Sequence, residues 1–254
     1  MCGARIAITV LLAGMLLFPT GVVEADLPDD IQADPVYGSY IFRQISDNSD
    51  YDISSQLTVT VSGFNDNGVV DPNTVLFTFW NNKSGITNPI DSSICDIYFD
   101  DGALLNMEEI VNSDGVKFSS GARPKNLPGG NGMTPPFETT KGFSLDSDSP
   151  VSSNGIDPGE WLGIVFTLQD NMTVEDVDLA LPAGTFLAPD ADPDNPMTLR
   201  IGLHVQGLPD DDESDLYVQH VPAPGAVITG MLGLGCVGAF NRKFSWRSGK
   251  RQRV

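Results

Sequence analysis

Carboxylates are the first residues with a chemistry to offer. Asp100-Asp101 and Glu108-Glu109 are adjacent acid pairs, and two carboxylates across a cleft are what glycoside hydrolysis requires. In a chain with 34 Asp and Glu, however, some acids fall side by side by chance, and Asp100-Asp101-Gly102 also reads as a turn after a strand. Asp190, Asp192 and Asp194 form a D-x-D-x-D run, the opening of an oxygen-ligand loop of the kind calcium prefers. The run departs from an EF-hand, because Asn195 replaces the glycine at position six and Ile201 the glutamate at position twelve. A solvated acidic loop is the first reading of this run; no cofactor is expected, and calcium at these three aspartates is the one that the residues leave open. His204 and His220 are the two histidines, neither in a zinc-spaced pair, and no G-x-S-x-G nucleophile elbow occurs. His204 alternates with Arg200 and Gln206, which places it on the outward face of a strand. Cys95 alternates with Ile97 and Phe99 and reads as a buried, inert thiol. No catalytic residue is assigned, and the expectation is a protein that is not an enzyme.

Charge narrows the partners. Between Asp26 and Asp215 there are 33 acidic residues against seven basic ones, while six of the 14 Lys and Arg lie beyond residue 240. Nucleic-acid binding rests on Lys and Arg contacts to phosphate, so this surface excludes it. Cys2 and Cys236 belong to the apolar ends, and Cys95 alone cannot form an internal disulfide.

The elements that must position these side chains follow a period of two. Leu57, Val59 and Val61 share one face of 56–61; 74–80 is rich in aromatic and β-branched residues; 92–99 is a third strand. Leu162, Ile164, Phe166 and Leu168 share a face of 161–168, and Leu199, Ile201, Leu203 and Val205 a face of 199–205. With 26 Gly and 18 Pro as punctuation, the pattern predicts an all-β fold: a single β-sandwich, jelly-roll or immunoglobulin-like. One short helix is expected from Val174, where Thr173 to Asp176 resembles a capping box, ending at Pro182 and Gly184. Residues 120–160 lack periodicity, and loops of that length are commonly functional or disordered; Phe137 and Phe143 point to packing. Trp80 and Trp161 each alternate away from an apolar face. Buried packing is the first reading of both; otherwise they are the candidates for sugar stacking in an alternative function class, a carbohydrate-binding module assisted by calcium.

The two ends carry addresses. Arg5, then the apolar stretch from Ile6 to Phe18, then Val23-Glu24-Ala25 read as a signal helix cleaved between Ala25 and Asp26. The expected organisation is a signal peptide over 1–25, a lead-in segment over 26–36, a sandwich ectodomain over 37–220 and a C-terminal segment over 221–254. Within the last, 226–240 is uncharged. As a helix it reaches about 22 Å, short of the ~30 Å hydrocarbon core of a membrane. Arg242, Lys243 and Arg247 in the basic tail, 241–254, act as stop-transfer charges that stay on the cytoplasmic side.

The order Val221-Pro222-Ala223-Pro224-Gly225, apolar span, then Arg242-Lys243 resembles the PEP-CTERM sorting signal in its Val-Pro-Ala-Pro-Gly variant. Ala223 stands where the family usually has Glu. The resemblance implies an exported protein whose C-terminal helix associates transiently with the membrane. Its processing partner would be an exosortase-like membrane protease, with secretion machinery and exopolysaccharide as further partners. It implies the envelope surface or extracellular matrix of a Gram-negative-type bacterium. The stretches 92–105, 126–131, 143–151 and 154–168 are similar to a β-rich domain that recurs in such exported proteins, for which the resemblance implies no activity.

Overall fold

A computed structural model describes residues 31–66, 69–102, 104–185, 198–209 and 213–220. Ten strands form one antiparallel sheet: β1 Ile31–Gln44, β2 Leu57–Asp66, β3 Val69–Asn81, β4 Ser93–Asp101, β5 Leu104–Asn112, β6 Phe118–Ser120, β7 Ser144–Ser147, β8 Trp161–Leu168, β9 Leu199–Leu208 and β10 Glu213–His220. Their order across the sheet is β5-β8-β3-β2-β1-β10-β9-β4-β7-β6. β1 starts at Ile31, inside the stretch that composition marks as a lead-in, and pairs at once with β2 through Ile31 and Asp66. Pro35 cannot donate to a ladder, and the pairing slips on either side of Val36 to accommodate it.

The sheet curls until its two halves touch. Alternation turns Val59, Val61, Phe77, Phe79, Ile164 and Phe166 of the first half inward, against Ile97, Phe99, Ile201, Leu203 and Val205 of the second. Phe99 meets Phe166 at 4.9 Å and Phe77 at 5.4 Å between ring centroids, both edge to face. Such pairs contribute about 0.5–1.5 kcal/mol each beyond the area they bury. The halves join at a short seam, where β10 pairs with β1 over Ile41 to Gln44. At the far side the two edges almost close: the Phe118 amide of β6 donates to Asn112 Oδ1 of β5 at 3.1 Å. The expected β-rich class is therefore present, as a nearly barrel-like single sheet.

The helix forms where the capping box places it, but runs on. α1, Val151–Asn154, is a single turn; α2, Val174–Thr185, has twelve residues. Thr173 Oγ1 accepts the Asp176 amide at 3.2 Å, and Asp176 Oδ2 accepts the Thr173 amide at 2.9 Å, the reciprocal cap. Pro182 was expected to end the helix. It lacks the N–H that would bond the Asp178 carbonyl four residues back. The Tyr40 hydroxyl lies 2.7 Å from that carbonyl and 2.6 Å from Asp178 Oδ1, so its one proton is shared between two acceptors of Asp178, and the helix passes the proline. Val177, Ala180 and Leu181 are buried and close the core over the seam.

The 120–160 stretch is ordered by packing. It holds β6 at its start, a 3-10 turn at Gly130–Gly132, β7 and α1. Leu127 and Phe137 lie over the outer face of β4, β9 and β10 with Tyr98, Leu216 and Val218, making a second apolar cluster outside the sheet. Gly202 permits this approach: a Cβ there would sit 2.7 Å from Leu127 Cδ2.

Candidate functional site

Two places gather the polar side chains. The first is an open groove of about 760 Å³ where the sheet's free edges approach, lined by Asp101, Glu108 and Glu109 with Lys141, Phe143 and Gln169 among others. The structure separates the sequence's first acid pair. Successive strand residues point to opposite faces, and Asp100 and Asp101 both still belong to β4 rather than to a turn. Asp100 turns to the outer face and pairs with Arg200, while Asp101 turns to the groove. The two therefore cannot face each other as acid and base of one cleft. Asp101 Oδ2 accepts the Leu104 amide at 2.7 Å, and its own amide donates to Thr140 Oγ1 at 2.9 Å, which fixes the β4–β5 turn. Glu108 and Glu109 are exposed on edge strand β5, beside a slip in its pairing with β8.

The second place is the outer face of β7, β4 and β9. Arg200 is 4% exposed. Its guanidinium bonds the Asp100 carboxylate and the carbonyls of Pro135 and Pro136, donates to the former carbonyl at 2.9 Å and lies 5.3 Å from the Phe137 ring centroid. Asp100 also accepts the Glu138 amide at 3.1 Å. Burial pushes the Asp100 carboxyl above its usual range; Arg200 and the Glu138 amide pull against that shift. The cluster pins the 122–143 cover to the sheet. Beside it, His204 Nδ1 lies 2.7 Å from Asp96 Oδ2. His204 does stand on the outward face, but a carboxylate already engages it. Neither histidine has a serine or cysteine partner among the described residues.

Cys95 is 1% exposed, and burial with the nearby Asp96 charge pushes its thiol up to about 12. Its neighbours differ from simple alternation: the register slips between Ile94 and Asp96, so Ile94, Ile97 and Phe99 point into the core and Cys95 does not join them. The thiol donates to the Ser93 carbonyl at 3.3 Å. A thiolate is the nucleophilic form, so this group is inert.

Trp80 and Trp161 do lie on the outer face, directly opposite one another on β3 and β8. They are 9% and 5% exposed, pack with Val111, and meet at 5.9 Å between centroids with their planes tilted 47°. At that burial neither ring offers a free face to a sugar: the pair packs, as the first reading of both residues has it, and sugar stacking finds no support here. Alternation had found the face but not the cross-strand partner.

The sorting residues Val221, Pro222, Ala223, Pro224 and Gly225, the basic Arg242, Lys243 and Arg247, the Ala25–Asp26 junction, and Asp190, Asp192 and Asp194 lie outside the described residues. Among the described residues, no group of three or more His, Cys, Asp or Glu converges as a metal cage, and no helix is long and apolar enough to cross a membrane. One site that sequence reading missed is a hub at Asp215 in β10. This carboxylate, wholly buried, accepts from Gln44 Nε2 (2.8 Å), Ser46 Oγ (2.6 Å), and the amides of Asn48 (3.0 Å) and Ser49 (3.1 Å). It ties the loop after β1 to the middle of the sheet; nothing in the local pattern around 215 distinguishes it from its acidic neighbours. No family model, curated protein or solved structure matches this chain.

Proposed function

We propose that the chain is an exported, non-enzymatic surface or extracellular-matrix protein, delivered through a C-terminal sorting signal read by an exosortase-like membrane protease. The carrying observation is the order of blocks at the two ends: Arg5 followed by the apolar Ile6 to Phe18, and Val221-Pro222-Ala223-Pro224-Gly225 followed by the uncharged 226–240 and the basic Arg242, Lys243 and Arg247. The strong excess of acid supports solubility and a role among polymers rather than on nucleic acid. Polar groups on the outer face support the same reading, because Asp100, Arg200 and His204 are bonded within the domain. On architecture, we read the curled sheet as a sandwich whose halves share the β1–β10 seam, with the signal helix and the membrane helix as removable ends. Exopolysaccharide is the polymer partner in this reading.

Peptide mapping by mass spectrometry of protein recovered from the cell surface and medium tests the proposal. The expected mature chain starts at Asp26 and lacks the apolar span and basic tail. A surface protein that retains its sequence through Val254 overturns it.

A further inference from the structure

One row of side chains crosses the outer face of three strands. Asp146 of β7 stands directly opposite Asp96 of β4, and Asp96 directly opposite His204 of β9. Like charges facing each other across a ladder are destabilising, and here one of them is out of water: Asp96 is 3% exposed. Its two oxygens are treated differently. Oδ2 meets His204 Nδ1 at 2.7 Å. Oδ1 is buried and has no hydrogen-bond donor. A buried carboxylate oxygen left without a donor is costly, and no metal cage converges there among the described residues. A proton on Asp146 resolves both difficulties at once. It removes the like-charge contact and gives Oδ1 its donor.

We propose that Asp96 and Asp146 hold one proton between them in the folded protein, and that its release as pH rises loosens the β6–β7 edge. The edge is poised for this. β7 is held to β4 through three residue pairs, Asp96–Asp146, Ile97–Leu145 and Tyr98–Ser144, and β6 hangs on β7 through three more. One pair in three on the β4 side therefore becomes repulsive when the proton leaves. Burial, the Asp96 charge and the bond to Asp96 all raise the Asp146 carboxyl above its usual range. The other groups facing the pair are Arg123, which pulls Asp146 the opposite way, Asp148, which adds to the rise, Tyr98, whose hydroxyl is pushed up by burial first and by both acids after it, and His204. β6 faces Asp146 with Ser119, which does not titrate. The sign follows from linkage. The folded state binds more protons than the unfolded state between the ordinary aspartate range and the raised folded value, so stability falls with rising pH there. This inference is independent of how the protein is delivered.

Native-state hydrogen exchange of the full chain across acid to neutral pH, corrected for intrinsic rates, tests it. Protection of the β6 and β7 amides should fall about tenfold per pH unit through that window, while amides of β2 and β3 keep theirs. Asp146→Asn supplies an uncharged donor to Oδ1 and should hold protection at the acid level throughout. In wild type, infrared spectra should show protonated-carboxyl intensity in the folded state that Asp146→Asn lowers by one carboxyl. Wild-type protection that does not change with pH overturns the proposal. So does an Asp146→Asn chain with the wild-type pH dependence, since His204 would then be its source. Absence of that infrared intensity in wild type overturns it without reference to any variant.

Discussion

Replacing Asp215 by alanine is the most demanding test of how this domain is held together. The substitution removes the acceptor for four donors at a position with no exposure. Gln44 is half-buried and can turn its amide to water, and the Ser46 hydroxyl can rotate. The Asn48 and Ser49 amides cannot move without unmaking the loop. A buried donor left unsatisfied costs about 1–3 kcal/mol; the Ser49 amide is buried, whereas Asn48 is exposed and water can take its amide, so the loss is about 2 kcal/mol. For a domain of this size that corresponds to a fall in Tm of about 4–8 °C, out of a total stability of about 5–15 kcal/mol. Urea unfolding followed by circular dichroism, with wild type and variant compared at equal slope, reads the difference. Ser46→Ala alone should cost about 2 kcal/mol, because the hydroxyl donates to Asp215 and also accepts the Leu216 amide at 2.8 Å. In the Asp215→Ala background it should cost about 1 kcal/mol less, because its acceptor is already gone while the Leu216 amide still loses its own. An Asp215→Ala domain within about 1 kcal/mol of wild type, or a Ser46→Ala loss that is the same in both backgrounds, refutes the hub.

Arg200→Ala should destabilise by about 3–5 kcal/mol by leaving Asp100 buried without its cation; limited proteolysis should then cut first within 122–143, and an unchanged cleavage map contradicts this. Gly184→Ala places a Cβ 2.1 Å from the Leu199 carbonyl oxygen, a backbone atom, whereas Gly202→Ala meets only the flexible Leu127 side chain at 2.7 Å. Overpacking costs about 1–3 kcal/mol, so thermal unfolding should place Gly184→Ala well below Gly202→Ala, and the reverse order is the failing result. A calcium-against-EDTA comparison of Tm on residues 26–220 decides the D-x-D-x-D run: a rise that joint replacement of Asp190, Asp192 and Asp194 by asparagine abolishes means binding linked to folding, and a flat response leaves a solvated acidic loop.

Five strands were readable: β2, β8 and β9 from alternation, because each turns a continuous apolar set toward one core, and β3 and β4 from their run of apolar and aromatic residues. The strands that were not readable fail for particular reasons. In β10, Tyr217 faces the main core while Leu216 and Val218 lie under the 122–143 cover, so both faces are buried and the period of two is lost. β5 slips twice in its pairing with β8, between Leu104 and Asn106 and between Met107 and Glu109, which breaks its alternation. β7 has only four residues. The acid groups were visible as types, but their partners were not. Asp100 and Arg200 are a hundred residues apart, and Asp96, Asp146 and His204 come from three separate strands.

What the sequence determined by itself is therefore local. Side-chain period set the strand class, Thr173 and Asp176 set the start of α2, and the charged and apolar blocks at the two ends set the expectation of export. Each of these depends on residues a few positions apart along the chain. The tertiary structure decided what depends on distant partners. Tyr40 lets α2 pass Pro182, Trp161 covers Trp80, and the register slip at Cys95 changes which residues reach the core. It also decided which carboxylates have a donor, because burial and cross-strand register arise only when the sheet curls closed.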